Sequence, residues 1–156
     1  MNSPAWRSQC FTRTVMMLMG IILCSGCDMI ARIPAVTINK QKGAVVKVEV
    51  EIARKPAERN LGLMYRKTLD KDNGMLFIFE DEIKHTFTMK NTFIPLDMIF
   101  IGRDMRIAGW VENAKPLSQE QFSIARPSQY VLEVNAFFCR DQGLTIGDEV
   151  TFKNID

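Results

Sequence analysis

The chain has 156 residues, 47% of them apolar and 24% charged, with a formal net charge of +2. That length makes one domain, and that apolar share supports a proper core. A fibrous or wholly disordered protein is excluded.

The first residues differ in kind from the rest. Arg7 and Arg13 supply positive charge, and no acid appears before Asp28. An apolar run from Val15 to Leu23 follows, and Cys24, Ser25, Gly26 and Cys27 close the segment. A basic region, a short apolar stretch and small residues before a cut site make a secretory signal. The run is too short to cross a bilayer, which takes roughly 20 residues. Ser25-Gly26-Cys27 resembles the bacterial lipobox, in which the cysteine is lipidated and becomes the mature N-terminus. Cys24 departs from the leucine usual three places before that cysteine, and Leu23 stands one place early. The resemblance implies a signal peptide over 1–26, a lipidated tether over 27–35 anchored at Cys27, and one globular domain over 36–156. The expected location is the periplasmic face of the membrane, or free secretion if Cys27 is not lipidated. Asp28 resembles the residue that retains lipoproteins in the inner membrane.

Removing the signal takes Arg7 and Arg13 with it and leaves eighteen basic residues against eighteen acids. A neutral mature chain offers no electrostatic case for binding nucleic acid, which asks for a clustered basic face. Of the four cysteines only Cys139 belongs to the expected domain. Neither an internal disulfide nor a cysteine-based zinc site is available to it.

From Ala35 the chain reads as mostly β. Val36 and Ile38 alternate with polar residues, a turn follows at Lys40–Gly43, and Val46 to Ile52 alternates again, predicting a hairpin. Over 56–69 the period changes. Pro56 suits a first helical turn and Glu58 its positive end, while Leu61, Tyr65 and Leu69 make an apolar stripe. Arg59, Gly62 and Arg66 fall on another face. They read either as a solvated arginine face with a tolerated glycine, or as a place where a ligand approaches the backbone between two guanidinium groups. Asp72-Asn73-Gly74 is a turn, Met75–Phe79 an apolar central strand, and Glu80-Asp81-Glu82 an acidic loop. His85–Asn91 and Leu96–Ile101 read as two strands, with Arg106–Glu112, Tyr130–Ala136 and Val150–Phe152 as further strands around a long loop at 113–128.

The run Met89-Lys90-Asn91-Thr92-Phe93-Ile94-Pro95-Leu96-Asp97 sets a lysine, an asparagine and an aspartate among residues that read as buried strand. Such groups are costly to bury alone. If Thr92–Pro95 closes a hairpin, Lys90 stands opposite Asp97, Met89 opposite Met98 and Phe87 opposite Phe100. The charged residues then either form a structural pair with Asn91 capping the turn, or line a pocket facing Arg59 and Arg66.

Four segments in order resemble the bacterial and archaeal family called domain of unknown function 192. They are Arg59-x-x-Gly62-Leu63-Met64-x-Arg66, Gly74-Met75-Leu76-Phe77, Met89-Lys90-Asn91-Thr92-x-Ile94-Pro95-Leu96-Asp97, and Tyr130-Val131-Leu132-Glu133. The resemblance covers about residues 36–154. Two positions depart from the family pattern: Thr88 where an aromatic is common, and Phe137 where a glycine usually follows Ala136. The resemblance implies a small fold dominated by β-sheet and a shared site, but no established reaction. Taken together, the expected fold is α+β and mainly β. It is a small antiparallel or mixed sheet, or a partly open barrel, with one main helix near 56–69.

Two function classes follow. The first is a tethered binding module for a small polar or anionic ligand, or for a protein partner, through Arg59, Gly62, Arg66, Lys90, Asn91, Asp97 and Glu133. Arginine forks suit carboxylate or phosphate. The alternative is an envelope hydrolase with Asp97 and Glu133 as acid and base. No nucleophile motif supports it, and the single histidine, His85, reads as structural. Metal handling is a weaker reading. Five of ten methionines lie in the signal or tether, and Met64, Met75, Met89, Met98 and Met105 suit apolar packing. No metal or cofactor is expected.

Overall fold

The computed structural model describes residues 32–41 and 43–155. The expected signal peptide, the lipidation site Cys27 and most of the tether lie outside the described residues. Residues 31–156 form one compact unit.

Seven strands and two short helices make up the domain. They run β1 (Ala35–Asn39), β2 (Val45–Ala53), α1 (Pro56–Leu61), β3 (Asn73–Ile83), β4 (Leu96–Ile101), β5 (Ile107–Ala114), β6 (Ser128–Asn135), α2 (Phe138–Asp141) and β7 (Glu149–Lys153). The strands lie in the order β5-β4-β6-β3-β2-β1-β7 in a single mixed sheet. Only the β2–β3 pair is parallel, with Ile52 opposite Leu76, because α1 and the turns after it carry the chain back to the same end. The sheet curls into a half-barrel. Its two edge strands meet at one corner, where Arg106 bridges Glu149 and the Val150 amide donates to the Met105 carbonyl at 2.8 Å. A mainly β, partly open barrel is therefore the observed architecture.

Side-chain alternation gives the sheet two buried faces. The inner face draws on all seven strands, among them Val36, Val48, Leu76, Ile99, Ile107, Leu132 and Val150. The outer face carries Met75, Phe77, Met98, Phe100 and Val131. It is covered by residues 84–95, by the long loop after β5 and by Leu63. Both faces of a central strand being covered explains the unbroken apolar run at Met75–Ile78.

The β1–β2 hairpin forms as the alternation predicts, with Val36 opposite Val48. Three other expectations are corrected. The helix over 56–69 stops at Leu61, because Gly62 takes φ +48° and turns the chain; Leu61 and Tyr65 are then exposed while Leu63 is buried. The acidic run Glu80–Glu82 is the end of β3 rather than a loop. The hairpin of 85–91 with 96–101 does not exist. β4 pairs with β5 and β6, and Asp97 stands opposite Val134, not Lys90. Residues 84–95 cross the outer face instead, where Phe87 bridges Phe122 and the Met89 amide donates to the Ser118 carbonyl at 3.0 Å. The alternation of Phe87 and Met89 reported a buried side, but could not say which strand lay beside it.

Candidate functional site

A cavity of about 340 Å³ opens on the outer face between the end of α1, the 84–95 crossing and β6. Its walls are Arg59 to Met64, Phe77, Thr86, Phe87, Thr88 and Thr92, and Glu133 lies at its floor. Each wall has a local cause. The helix α1 starts at Pro56, and the Glu58 carboxylate accepts from the Lys55 and Arg54 amides at 2.9 and 3.0 Å. Those bonds hold the Glu58 carboxyl below its ordinary pKa. One helical turn further, the Gly62 backbone approaches Phe77 so closely that a Cβ there would sit 3.2 Å from the ring. Two left-handed residues then lock the rim. Tyr65 (φ +64°) donates its amide to the Asn91 carbonyl at 2.8 Å, and Asn91 (φ +56°) returns its side-chain amide to the Tyr65 hydroxyl at 2.9 Å.

Arg59 borders the mouth. Its Nη1 donates to the Ile78 carbonyl at 3.1 Å and to the Arg54 carbonyl, and its guanidinium lies 5.1 Å from the centre of the Phe79 ring. His85 stacks on the same ring with centroids 3.6 Å apart. Burial lowers the pKa of that imidazole and favours its neutral form.

Glu133 points to the outer face between Met75 on β3 and Met98 on β4. The residue is 5% exposed. Burial pushes its carboxyl up to about 8, and no hydrogen bond or nearby cation offsets that shift. A carboxyl in this state is protonated at neutral pH and changes charge in response to what enters the cavity.

The other expected site residues lie elsewhere. Arg66 makes a two-pronged pair with Glu51 on β2, including Nη2 to Oε2 at 2.6 Å, and does not line the cavity. Lys90 is exposed and outside it. Asn91 serves the rim through Tyr65 rather than facing the cavity. Asp97 is fully buried on the inner face. Its Oδ1 accepts from the Asn113 and Phe137 amides and its Oδ2 from the Cys139 amide, all at 2.9 Å. It thereby pins α2 to the sheet. Asp97 and Glu133 occupy opposite faces, so they cannot form the acid–base pair of the hydrolase reading. Arg59, Gly62 and Glu133 are the expected residues that converge on one cavity. The sequence reading missed Asn60, Thr86, Thr88 and Thr92.

Among the described residues no group of three or more His, Cys, Asp or Glu is placed to hold a metal ion. Cys139 is buried, and burial, joined by the Asp97 carboxylate, pushes its thiol far above the usual range.

The sequence profile of DUF192, described as "Uncharacterized ACR", matches residues 37–152. The chain belongs to the DUF192 family. Among the solved structures that share the fold are two relatives. One, from Sinorhizobium meliloti 1021, is described as a candidate transcription regulator. It is 38% identical with a TM-score of 0.74, over 76% of this chain and 92% of that one. The other, a Novosphingobium aromaticivorans DSM 12444 protein of unknown function, is 37% identical with a TM-score of 0.72, over 75% of this chain and 83% of that one. No curated protein matches this chain. The matched region makes up almost the whole of the Sinorhizobium chain.

Proposed function

We propose that this DUF192 domain is a binding module for a small polar molecule held in the cavity between α1, residues 84–95 and β6. The observation that carries the reading is Glu133, a side chain only 5% exposed at the floor of an open cavity, whose carboxyl has no hydrogen-bond partner among the described residues and is reached only through that cavity. Burying such a group costs stability unless something satisfies it. A cavity with convergent polar groups and a strongly shifted titrating residue is the arrangement of a binding site. Arg59, Gly62 and Glu133 carry the reading, joined by the Thr86, Thr88 and Thr92 side chains. Arg66, Lys90, Asn91 and Asp97 leave it.

The same proposal includes an address. The basic, apolar and small-residue succession before Cys27 supports export and lipidation at Cys27, with the domain on the periplasmic face of the inner membrane. The description attached to the Sinorhizobium protein finds no support in charge. The cations here are interleaved with acids, as in Lys47 with Glu49 and Arg140 with Glu112 and Asp141.

Native mass spectrometry tests the binding reading. The domain purified gently from its own envelope should retain a small molecule that Thr88→Trp expels. Identical apo masses for both proteins would sink it. Intact mass of the mature protein tests the address. A lipid adduct on Cys27, lost in Cys27→Ser, is expected.

A further inference from the structure

Resting on the cavity reading, we propose that the occupant is a small zwitterion, its protonated amine seated against Glu133 and its acidic group held by Arg59 at the mouth. An ionised carboxylate only accepts hydrogen bonds, and no donor among the described residues reaches Glu133. Its cross-strand neighbours Met75 and Met98 are uncharged, as are Phe77, Thr86, Thr88 and Thr92, which line the same cavity. The one other charged residue on the cavity wall is Arg59, and it does not offset the shift at Glu133. His85 faces Phe79.

An occupant that stabilises the ionised floor must therefore bring both donors and a positive charge. A protonated amine supplies both, with three N–H groups that the carboxylate and the neighbouring threonine hydroxyls can accept. Phe77 and Phe87 line the same space, with ring centroids 5.1 Å apart, and aromatic rings favour a cation beside them. Once Glu133 is ionised, a carboxylate or phosphate at the floor would meet like charge. It is suited to the mouth. There Arg59 spends Nη1 on the Ile78 and Arg54 carbonyls and has Nε and Nη2 without partners among the described residues. At about 340 Å³ the cavity is at the small end of ligand sites and suits an amino acid or a phosphorylated amino alcohol.

The test uses residues 31–156, the compact unit, once circular dichroism and a cooperative melt have shown that it is folded. The probes are the twenty common amino acids and phosphoethanolamine, each followed by calorimetry at pH 6, 7 and 8. The best binder is compared with its deaminated acid and with the amine lacking its acidic group. Loss of the amine should weaken binding at least tenfold in the wild type and not in Glu133→Gln. Loss of the acidic group should weaken it in the wild type and not in Arg59→Ala. Affinity should rise up to about tenfold per pH unit as Glu133 sheds its proton, and should be flat in Glu133→Gln. Amino acids and phosphoethanolamine separate free metabolites from lipid-headgroup chemistry. If none of the probes binds, or the deaminated acid binds equally well, the zwitterion is overturned. Neutral sugars or plain acids that bind and are blocked by Thr88→Trp would overturn it while leaving the cavity reading intact. A domain that binds nothing and purifies without an occupant loses both.

Discussion

Asp97 and Glu133 stand one register step apart on neighbouring strands and face opposite sides of the same sheet. Asp97 is opposite Val134 and Glu133 opposite Met98. Because successive side chains on a strand alternate, that single step sends one carboxyl to the inner core beneath α2 and the other to the cavity. One accepts from three backbone amides and the other has no donor among the described residues. Their chemistries therefore diverge, and so do the outcomes of changing them.

Glu133→Gln should remove a pH dependence of stability. The folded carboxyl holds its proton to about pH 8, against an ordinary value of 4.5. Over that window the folded state binds more protons than the unfolded one. Its contribution to stability is then fully present below 4.5 and lost as pH rises to 8. The slope is about 1.4 kcal/mol per pH unit, several kcal/mol in all. Urea midpoints of the ligand-free domain between pH 5 and 9 should fall for the wild type relative to Glu133→Gln. Parallel curves would mean that the carboxyl is solvated or already paired.

Asp97→Ala should be among the costliest changes in the domain. It leaves three buried or half-buried amides without an acceptor, at about 1–3 kcal/mol each before relaxation. Asp97→Asn keeps one acceptor oxygen and should lose less. Chemical denaturation gives both values. An Asp97→Ala protein as stable as the wild type would show that α2 is held by packing of Phe138 and Cys139 alone.

Much of this organisation was legible in the sequence. The β1–β2 alternation and the central apolar run at Met75–Phe79 emerged from local patterning that the tertiary structure reinforces, while the partly open barrel was one of two architectures left open beside the family resemblance. The failures share a cause. Alternation at Phe87 and Met89 reports burial against a surface, and a crossing loop over a sheet buries every second side chain as a strand would. The charged residues at 90 and 97 seemed paired only because a four-residue connection suggested a hairpin. Glu133 was legible as a residue of interest but not as unpartnered. Its lack of a partner depends on Met75 and Met98, which come from distant parts of the chain.

Arg66→Ala should change little. Its pair with Glu51 is substantially exposed, with side-chain exposures of 35% and 57%. Such pairs contribute about 0–1 kcal/mol, and the guanidinium does not border the cavity. Retention of the co-purified molecule should match the wild type, whereas Arg59→Ala should weaken it. Equal losses in both variants would extend the site along the surface towards β2.

Gly62→Ala should narrow the cavity and destabilise the fold together. A side chain at φ +48° is strained, at about 1–2 kcal/mol. The new methyl would also press on the Phe77 ring. The expected result is a lower melting temperature with weaker ligand retention, and a larger residue such as valine should do worse on both measures.

Phe137 tests the same backbone logic at a positive φ held by a residue other than glycine. It sits in the left-handed region at φ +67°, donates its amide to Asp97, and carries Arg140 over its ring at 4.3 Å. Phe137→Gly relieves the backbone but gives up the ring contact and gains unfolded-state freedom. These terms are of similar size, so its stability should stay within about 1 kcal/mol of the wild type. Phe137→Val should lose clearly more, because a β-branched residue tolerates positive φ poorly. Thermal unfolding ranks the three proteins. Valine matching glycine would show that the turn after β6 can reach another conformation without losing the Asp97 anchor.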